Sequence, residues 1–333
     1  MAAVSVVIPT RNRPDLIVRA VNSVVAQSLS DIEIIVVVDG DDGKTAAALD
    51  VVGDPRLRVF VLPENGGASA ARNFGVSKAT APWIALLDDD DEMLPERLAI
   101  QLQAGEESEA EYPVILCRAF VQTPQERFVE PKILPGEGEH ISEYFLNKKS
   151  LIGHVGGIGS SIIFTKKSLL TKVVFPEEKR HQDWAWVLKV NAAKGCKFAF
   201  VPDVLCIYHA DHHVKGSTGA ISTQNDWEFC PYWANRYRKY MTGRAYASYL
   251  LTTAAVIARR QDAWRAIPLL LRDAFEAGKP TLTHLILFLG VWLLPKNAQI
   301  AMRDLRHRIR PKVLWPRRQA DSPDALSYSA NRE

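Results

Sequence analysis

Four consecutive carboxylates, Asp88-Asp89-Asp90-Asp91, directly follow the apolar segment Trp83-Ile84-Ala85-Leu86-Leu87. Neighbouring carboxylates repel each other, and a cation relieves the repulsion. A hard divalent ion, Mg²⁺ or Mn²⁺, that takes oxygens from carboxylates, a diphosphate and water suits such a run. The competing account is a solvated acidic loop capping a helix that opens near Pro95. A second acidic group, Asp39-Gly40-Asp41-Asp42, follows the apolar run from Ile32 to Val38. Asp183, in His181-Gln182-Asp183-Trp184, could be the N-cap of a helix expected over Trp184 to Lys194. The loop from His209 to Thr218 holds His209, His212 and His213. These are metal-ligand types, but a zinc site would need a fourth partner and a different spacing. Gly43-Lys44-Thr45 looks like the end of a phosphate-binding loop. Val38 stands where that loop needs its first glycine, and Asp39, Asp41 and Asp42 would repel phosphate, which excludes an NTPase. No G-x-G-x-x-G follows the first apolar run, so a dinucleotide site is not expected.

These groups need elements to position them. Val4 to Ile8 is β-branched and strand-like. Pro14-Asp15 opens a helix whose apolar positions Leu16, Ile17, Ala20, Val21, Val24 and Val25 keep helical spacing. Strands are expected at Ile32 to Val38, Leu57 to Leu62 and Trp83 to Leu87, with helices at Lys44 to Val52 and Ala68 to Ala79. Strands alternating with helices imply βαβ crossovers and a mostly parallel sheet, which binds ligands at the carboxyl ends of its strands. The acidic groups fall at those ends. Further on, Val114 to Val121, Ile162 to Thr165, Phe198 to Val201 and Val204 to Tyr208 read as strands. Thr123 to Glu139 reads as an irregular connection and Gly153 to Ser161 as a flexible loop. From Trp227 to Arg310 the pattern is helical.

The 333 residues are 47% hydrophobic and 24% charged, enough apolar side chain for a real core. That excludes a disordered, collagen-like or polytopic membrane chain. Cys117, Cys196, Cys206 and Cys230 lie far apart, with no C-x-x-C pair, so a reducing compartment is expected. No basic stretch precedes the first apolar run, so a signal peptide is not expected. The net charge of +3 hides an asymmetry: residues 1–229 carry 23 basic and 31 acidic side chains, residues 230–333 carry 18 and 7. The basic end suits an anionic partner.

Five segments in order resemble family 2 glycosyltransferases of the GT-A fold. They are Val4 to Arg13, Glu33 to Asp42, Asn65 to Gly75 (with Ala71-Arg72-Asn73), Trp83 to Asp91, and His181 to Trp184. The resemblance spans about residues 3–220. It implies an α/β fold: a mostly parallel nucleotide-binding sheet flanked by helices, followed here by a C-terminal helical extension. It implies that Pro9, Thr10, Arg11, Arg13 and Asp39 surround the nucleotide, with Thr10 and Asp39 at the base. A carboxylate accepting from a pyrimidine N–H favours a UDP-sugar. Arg72 is implied near the base or diphosphate, its alternative being a helix-surface arginine. Asp88 and Asp89 are implied near ribose and metal, and Asp90 as the firmest metal ligand, with Asp88 beside it. Asp183 is implied as general base of an inverting transfer. Gln182 replaces the family's Glu, which removes a neighbouring charge that would raise the Asp183 pKa. His209 and His212 are implied where the last loop closes on metal or diphosphate. The chain departs from the family's Asp-Asp-Gly-Ser with Asp39-Gly40-Asp41-Asp42.

The expected activity is transfer of a sugar from a nucleotide sugar to an acceptor hydroxyl, with Mg²⁺ or Mn²⁺, in cell-surface polysaccharide or glycolipid synthesis. The alternatives are a nucleotidyltransferase, which would carry a glycine-rich basic loop after the first strand, and a non-catalytic nucleotide-sugar binder. The expected partners are the nucleotide sugar and a glycan or lipid-linked acceptor, and no nucleic acid. The expected domains are 1–225 for the transferase, 226–315 for the helical region and 316–333 for a polar disordered tail. The expected location is cytoplasmic. Residues 281–295, uncharged and too short to span a bilayer as a helix, are either a core helix or a peripheral anchor at the inner face of the membrane.

Overall fold

A computed structural model describes residues 2–124, 126–151, 156–210 and 227–295. Four parallel strands open the chain: β1 (Val4–Thr10), β2 (Ile32–Val38), β3 (Leu57–Val61) and β4 (Trp83–Leu86). Every residue of β1 and β2 is buried, which is why both read as unbroken apolar runs. Helices α1 (Pro14–Val25), α2 (Gly43–Leu49) and α3 (Gly67–Lys78) make the crossovers. Helix α3 sits so close to the sheet that a Cβ on Gly75 would come within 2.5 Å of Val7 Cγ1.

After β4 come β5 (Glu92–Met93), α4 (Arg97–Glu106), β6 (Tyr112–Gln122), β7 (Arg127–Glu130), α5 (Ile141–Leu146), β8 (Phe164–Lys166), α6 (Lys167–Lys172), α7 (Gln182–Asn191) and β9 (Cys196–His209). The strand order is β3-β2-β1-β4-β8-β6-β9-β5, with β7 beside β6. The mostly parallel sheet flanked by helices is the expected α/β architecture.

Four details differ from the sequence expectation. The stretch read as irregular after Thr123 contains β7, which folds back on β6 and lays the Arg127 guanidinium over the Phe120 ring at 3.9 Å. The two strands expected at 198–201 and 204–208 are one strand, β9. Its Pro202-Asp203 interruption is absorbed by register shifts against β6 near Leu116 and Arg118, the usual place for a proline inside a sheet. The short helices α5 and α6 have too few turns to show a period. Helix α7 begins at Gln182, two residues early. Its N-cap is His181, at φ 58° and with no side-chain cap bond, so Asp183 lies in the first turn and is not the N-cap.

The C-terminal helices are α8 (Phe229–Tyr237), α9 (Gly243–Ser248), α10 (Ala255–Arg260), α11 (Ala266–Ala277) and α12 (Leu282–Leu293); a π-turn over Tyr249–Ala254 joins α9 to α10. Polar contacts fix them to the sheet body. Tyr237 donates to Glu178 at 2.7 Å, Lys148 N donates to Ser248 Oγ at 2.9 Å, and His284 Nε2 meets Asn147 Oδ1 at 2.8 Å. His284, Phe288 and Trp292 bury one face of α12, while Leu282, Ile286 and Leu289 stay exposed on another. The uncharged run is therefore core on one side and open on the other. Among the described residues no helix is long and apolar enough to cross a membrane. His212, residues 316–333 and the basic residues after Pro295 lie outside the described residues.

Candidate active site

Strand register assembles the site. Thr10 lies opposite Val38 and Val7 opposite Leu86, so the segments following β1, β2 and β4 emerge at one edge. Asp39 N donates to Thr10 O and Asn12 N to Asp42 Oδ2, which ties the first two segments together. Asp42 also caps α2 by accepting from Thr45 N. That capping explains the Gly43-Lys44-Thr45 sequence without a phosphate.

The four aspartates alternate as strand-end residues should. The side chains of Asp88 and Asp90 are 27% and 24% exposed, while Asp89 and Asp91 point inward at 7% and 0%. Asp89 accepts from Thr10 Oγ1 at 2.7 Å and from Arg13 Nη1 at 2.8 Å. Burial raises its pKa to about 6, with Arg13 opposing. The structure thus uses Asp89, Thr10 and Arg13 as a brace for each other, and does not bring Asp89 to the open side. Arg13 Nη1 also reaches Asp90 Oδ2 at 3.2 Å. Asp91 accepts from His209 N, and its Oδ2 is buried with no hydrogen-bond partner. Burial, followed by the charges of Asp90 and Asp88, pushes its pKa well up.

Arg72 pairs with the acidic run and reaches Gln182, the neighbour of Asp183. It is a buried side chain, and so not a helix-surface arginine. Its Nη2 contacts Asp88 Oδ1 at 2.5 Å and Ser160 Oγ at 3.1 Å, and its Nη1 contacts Gln182 Oε1 at 3.4 Å. Ser160 Oγ donates to Asp88 Oδ2 at 2.6 Å, and Asp88 N donates to Ser161 Oγ. Burial works to raise the Asp88 pKa, but the Arg72 charge and these bonds hold it below the ordinary carboxylate range. Ser160 and Ser161 are the members of this network that sequence reasoning missed. The only signal was their place at the end of a glycine-rich loop before a strand.

Asp183 feels both partners of that pair. Burial raises its pKa to about 6; Trp184 N, donating to Oδ1 at 2.9 Å, and the Arg72 charge act downward, and Asp88 acts upward. A carboxylate at about 6 is well matched to accepting a proton near neutral pH.

The other predicted residues are placed as follows. Pro9 is buried, and Arg11 is exposed at the edge. Asp39 is buried and accepts from Gly66 N and Gly67 N, each at 2.8 Å, so it also fixes the loop before α3. His209 does not turn its ring to the aspartates. β5 pairs with β9, and the His209 ring meets Glu92 Oε1 at 2.7 Å.

All the donors gathered at the mouth are carboxylate oxygens, the set a hard divalent ion takes. Among the described residues no group of three His, Cys, Asp or Glu is set to hold a metal unaided. Two open carboxylates, with phosphate and water oxygens completing the shell, fit such an ion.

A parallel sheet with paired carboxylates and a basic aspartate at its carboxyl edge defines an α/β transferase with the GT-A fold. Residues 5–173, about half of the chain, match Glycosyl transferase family 2, and the chain belongs to that family. It is a glycosyltransferase, which sets the nucleotidyltransferase alternative aside. It is 37% identical over 111 residues to the succinoglycan biosynthesis protein ExoO of Rhizobium meliloti, covering 33% of this chain and 32% of that one. The chain thus spans about a third of that relative's length. It is 28% identical over 279 residues to the putative colanic acid biosynthesis glycosyl transferase WcaA of Escherichia coli, 80% of this chain and 92% of that one. It is 30% identical over 182 residues to the GalNAc(5)-diNAcBac-PP-undecaprenol beta-1,3-glucosyltransferase of Campylobacter jejuni, 54% and 56% of the two chains. Among solved structures it resembles the mannosyltransferase PcManGT of Pyrobaculum calidifontis, with TM-score 0.54 and 16% identity over 92% of this chain and 82% of that one.

Proposed function

We propose that this glycosyltransferase moves a sugar from a nucleotide sugar, UDP-linked by preference, to an acceptor hydroxyl with inversion at the anomeric carbon. Asp183 accepts the hydroxyl proton as the acceptor oxygen bonds to that carbon. The bond to the diphosphate breaks on the opposite face, and the nucleoside diphosphate leaves. Asp90 and Asp88 would hold Mg²⁺ or Mn²⁺, whose charge offsets the charge on the departing diphosphate. Arg72 fixes the orientation of Asp88 and sets its charge against that of Asp183. Asp39, at the end of β2, faces the base, and Arg11 stands at the open edge beside the diphosphate.

The observation that carries this proposal is one buried guanidinium that pairs with the open Asp88 and whose charge acts on Asp183, a carboxylate with its pKa raised to about 6. A binder without chemistry would have no use for that carboxylate. The acceptor class is a growing glycan or a lipid-linked sugar of surface polysaccharide synthesis, as the names of the Escherichia coli and Campylobacter jejuni relatives suggest. An acceptor of the second kind would put the protein in peripheral contact with the inner face of the membrane.

The test is slow donor hydrolysis by the purified chain over a panel of UDP-, GDP- and dTDP-sugars with Mg²⁺ or Mn²⁺. Turnover of one UDP-sugar that requires the ion supports the proposal. Turnover of GDP-sugars alone overturns the role of Asp39, and full activity in excess chelator overturns the metal.

A further inference from the structure

Helix α12 has no Asp, Glu, Lys or Arg between Thr281 and Pro295. A surface helix ordinarily turns a polar face to water. This one packs His284, Phe288 and Trp292 inward yet leaves Leu282, Ile286 and Leu289 exposed, at 74%, 44% and 53%. The exposed residues are spaced at i, i+4 and i+7, which is one helical stripe about 10 Å long. Phe275 on α11 is 58% exposed as well.

An open recess of about 690 Å³ lies between the end of α8 and the end of α11. Its lining includes four cations, Arg236, Arg238, Lys239 and Lys279, against one acid, Glu276. All five are exposed. Arg236 is partly spent on Glu178 at 3.3 Å and Arg238 Nε on Ala277 O, while Lys239 and Lys279 reach solvent. Phe275 adjoins Glu276 in the chain, and Leu282 follows Lys279 by three residues, a reach of at most about 11 Å. The first residue of the apolar stripe is therefore within that reach of the basic recess.

An apolar stripe next to a cationic recess matches the two layers of a lipid leaflet: acyl chains for the leucines and anionic headgroups for the lysines. We infer that α12 and the recess together form a docking surface for an anionic phospholipid leaflet. The inference rests on the membrane contact proposed above and gives it a place on the molecule. It also orients the enzyme, because α8 and α9 are anchored through Glu178 and Ser248 to the segments that precede α7 and follow α5. Docking there would hold the chain carrying Asp183 at a fixed attitude to a lipid-linked acceptor.

The experiment is sedimentation of the full chain with vesicles of neutral phosphatidylcholine, or with vesicles containing phosphatidylglycerol, at low and high salt. Wild type should bind the anionic vesicles at low salt and only weakly bind the neutral ones. Lys239→Glu combined with Lys279→Glu should weaken that binding by at least about tenfold, since each cation near an anionic surface contributes about fivefold. Leu282→Gln, Ile286→Gln and Leu289→Gln together should remove the binding that survives high salt. Both variants should keep the wild-type melting temperature and rate of donor hydrolysis, because none of these residues belongs to the site. Wild type that ignores anionic vesicles at low salt overturns both the surface and the membrane contact. Wild-type binding that both variants retain overturns the surface alone and assigns the contact to another segment.

Discussion

Asp183→Asn separates the chemical role of this residue from any structural role. The asparagine keeps an oxygen for Trp184 N and nearly the same volume, but cannot take a proton. As a lost general base it should lower transfer by about 10²–10⁴-fold with donor affinity little changed. The same substitution should stabilise the protein. Folding moves Asp183 from an ordinary value of 3.8 to about 6. Between those values the folded chain binds a proton that the unfolded chain does not, so wild type gains stability as pH falls through 6. Above pH 6 the folded carboxylate is charged, and its burial costs about 3 kcal/mol at most. Part of the side chain is open to solvent, which brings that to about 1–3 kcal/mol. With an unfolding entropy of about 2.1 cal/mol/K per residue, the variant should melt about 1–4 °C above wild type at pH 8. The difference should vanish below about pH 4, where Asp183 is protonated in both states.

Two assays check this: thermal melting of both proteins from pH 4 to pH 8, and the pH profile of wild-type transfer. The profile should fall about tenfold per unit below pH 6 as the base takes up its proton. A variant less stable than wild type at every pH would refute the reasoning, because Asp183 would then be a structural ligand. So would turnover that survives while donor binding collapses.

Three further outcomes are expected. Asp90→Ala should abolish transfer and weaken donor binding, and excess chelator should do the same to wild type; isothermal titration with the donor checks both. Arg72→Leu should cost about 2–4 kcal/mol in chemical denaturation by leaving Asp88 half-buried without its counter-charge, and adding Asp88→Asn should restore stability but not activity. Gly75→Ala should cost about 1–3 kcal/mol, because the new methyl would meet Val7 and Val37 and lift α3 from the sheet; a denaturant melt reads this directly.

The first hundred residues were legible because their physics is local. β1 and β2 are buried from end to end, so composition alone marks them. Pro14 and Asp42 sit where helix starts need them. The acidic groups fall after strands, and parallel register does the rest. What stayed hidden depends on distant partners. Helix α7 starts at a left-handed histidine with no capping side chain, for which the sequence has no signal. Pro202 should interrupt β9, but a bulge opposite Leu116 and Arg118 lets the strand continue. His209 looked like a ligand by type, yet Glu92 faces it because a two-residue strand, too short to recognise, pairs with β9. Ser160 and Ser161 reach Asp88 across more than 70 positions of chain, a separation no local pattern spans.

The same distant partners change the case for a metal. Crowded carboxylates need positive charge, but that charge need not come from an ion. Arg13 compensates Asp89, Arg72 compensates Asp88, and burial beside Asp90 and Asp88 shifts Asp91 towards its neutral form. Repulsion within the run therefore no longer argues for a cation. The argument passes instead to exposure. Asp88 and Asp90 alone turn a quarter of their side chains outward, on the edge where register gathers Asp39 and Arg11. Arginine pairing fixes the two in place in advance, so a divalent ion arriving with a diphosphate would meet ligands already oriented, with little left to reorganise. A two-carboxylate site braced in this way would bind an ion weakly by itself and more tightly once the diphosphate supplied further oxygens. Metal affinity measured without and with donor should therefore differ by an order of magnitude or more, and equal affinities would return the ion to the protein alone.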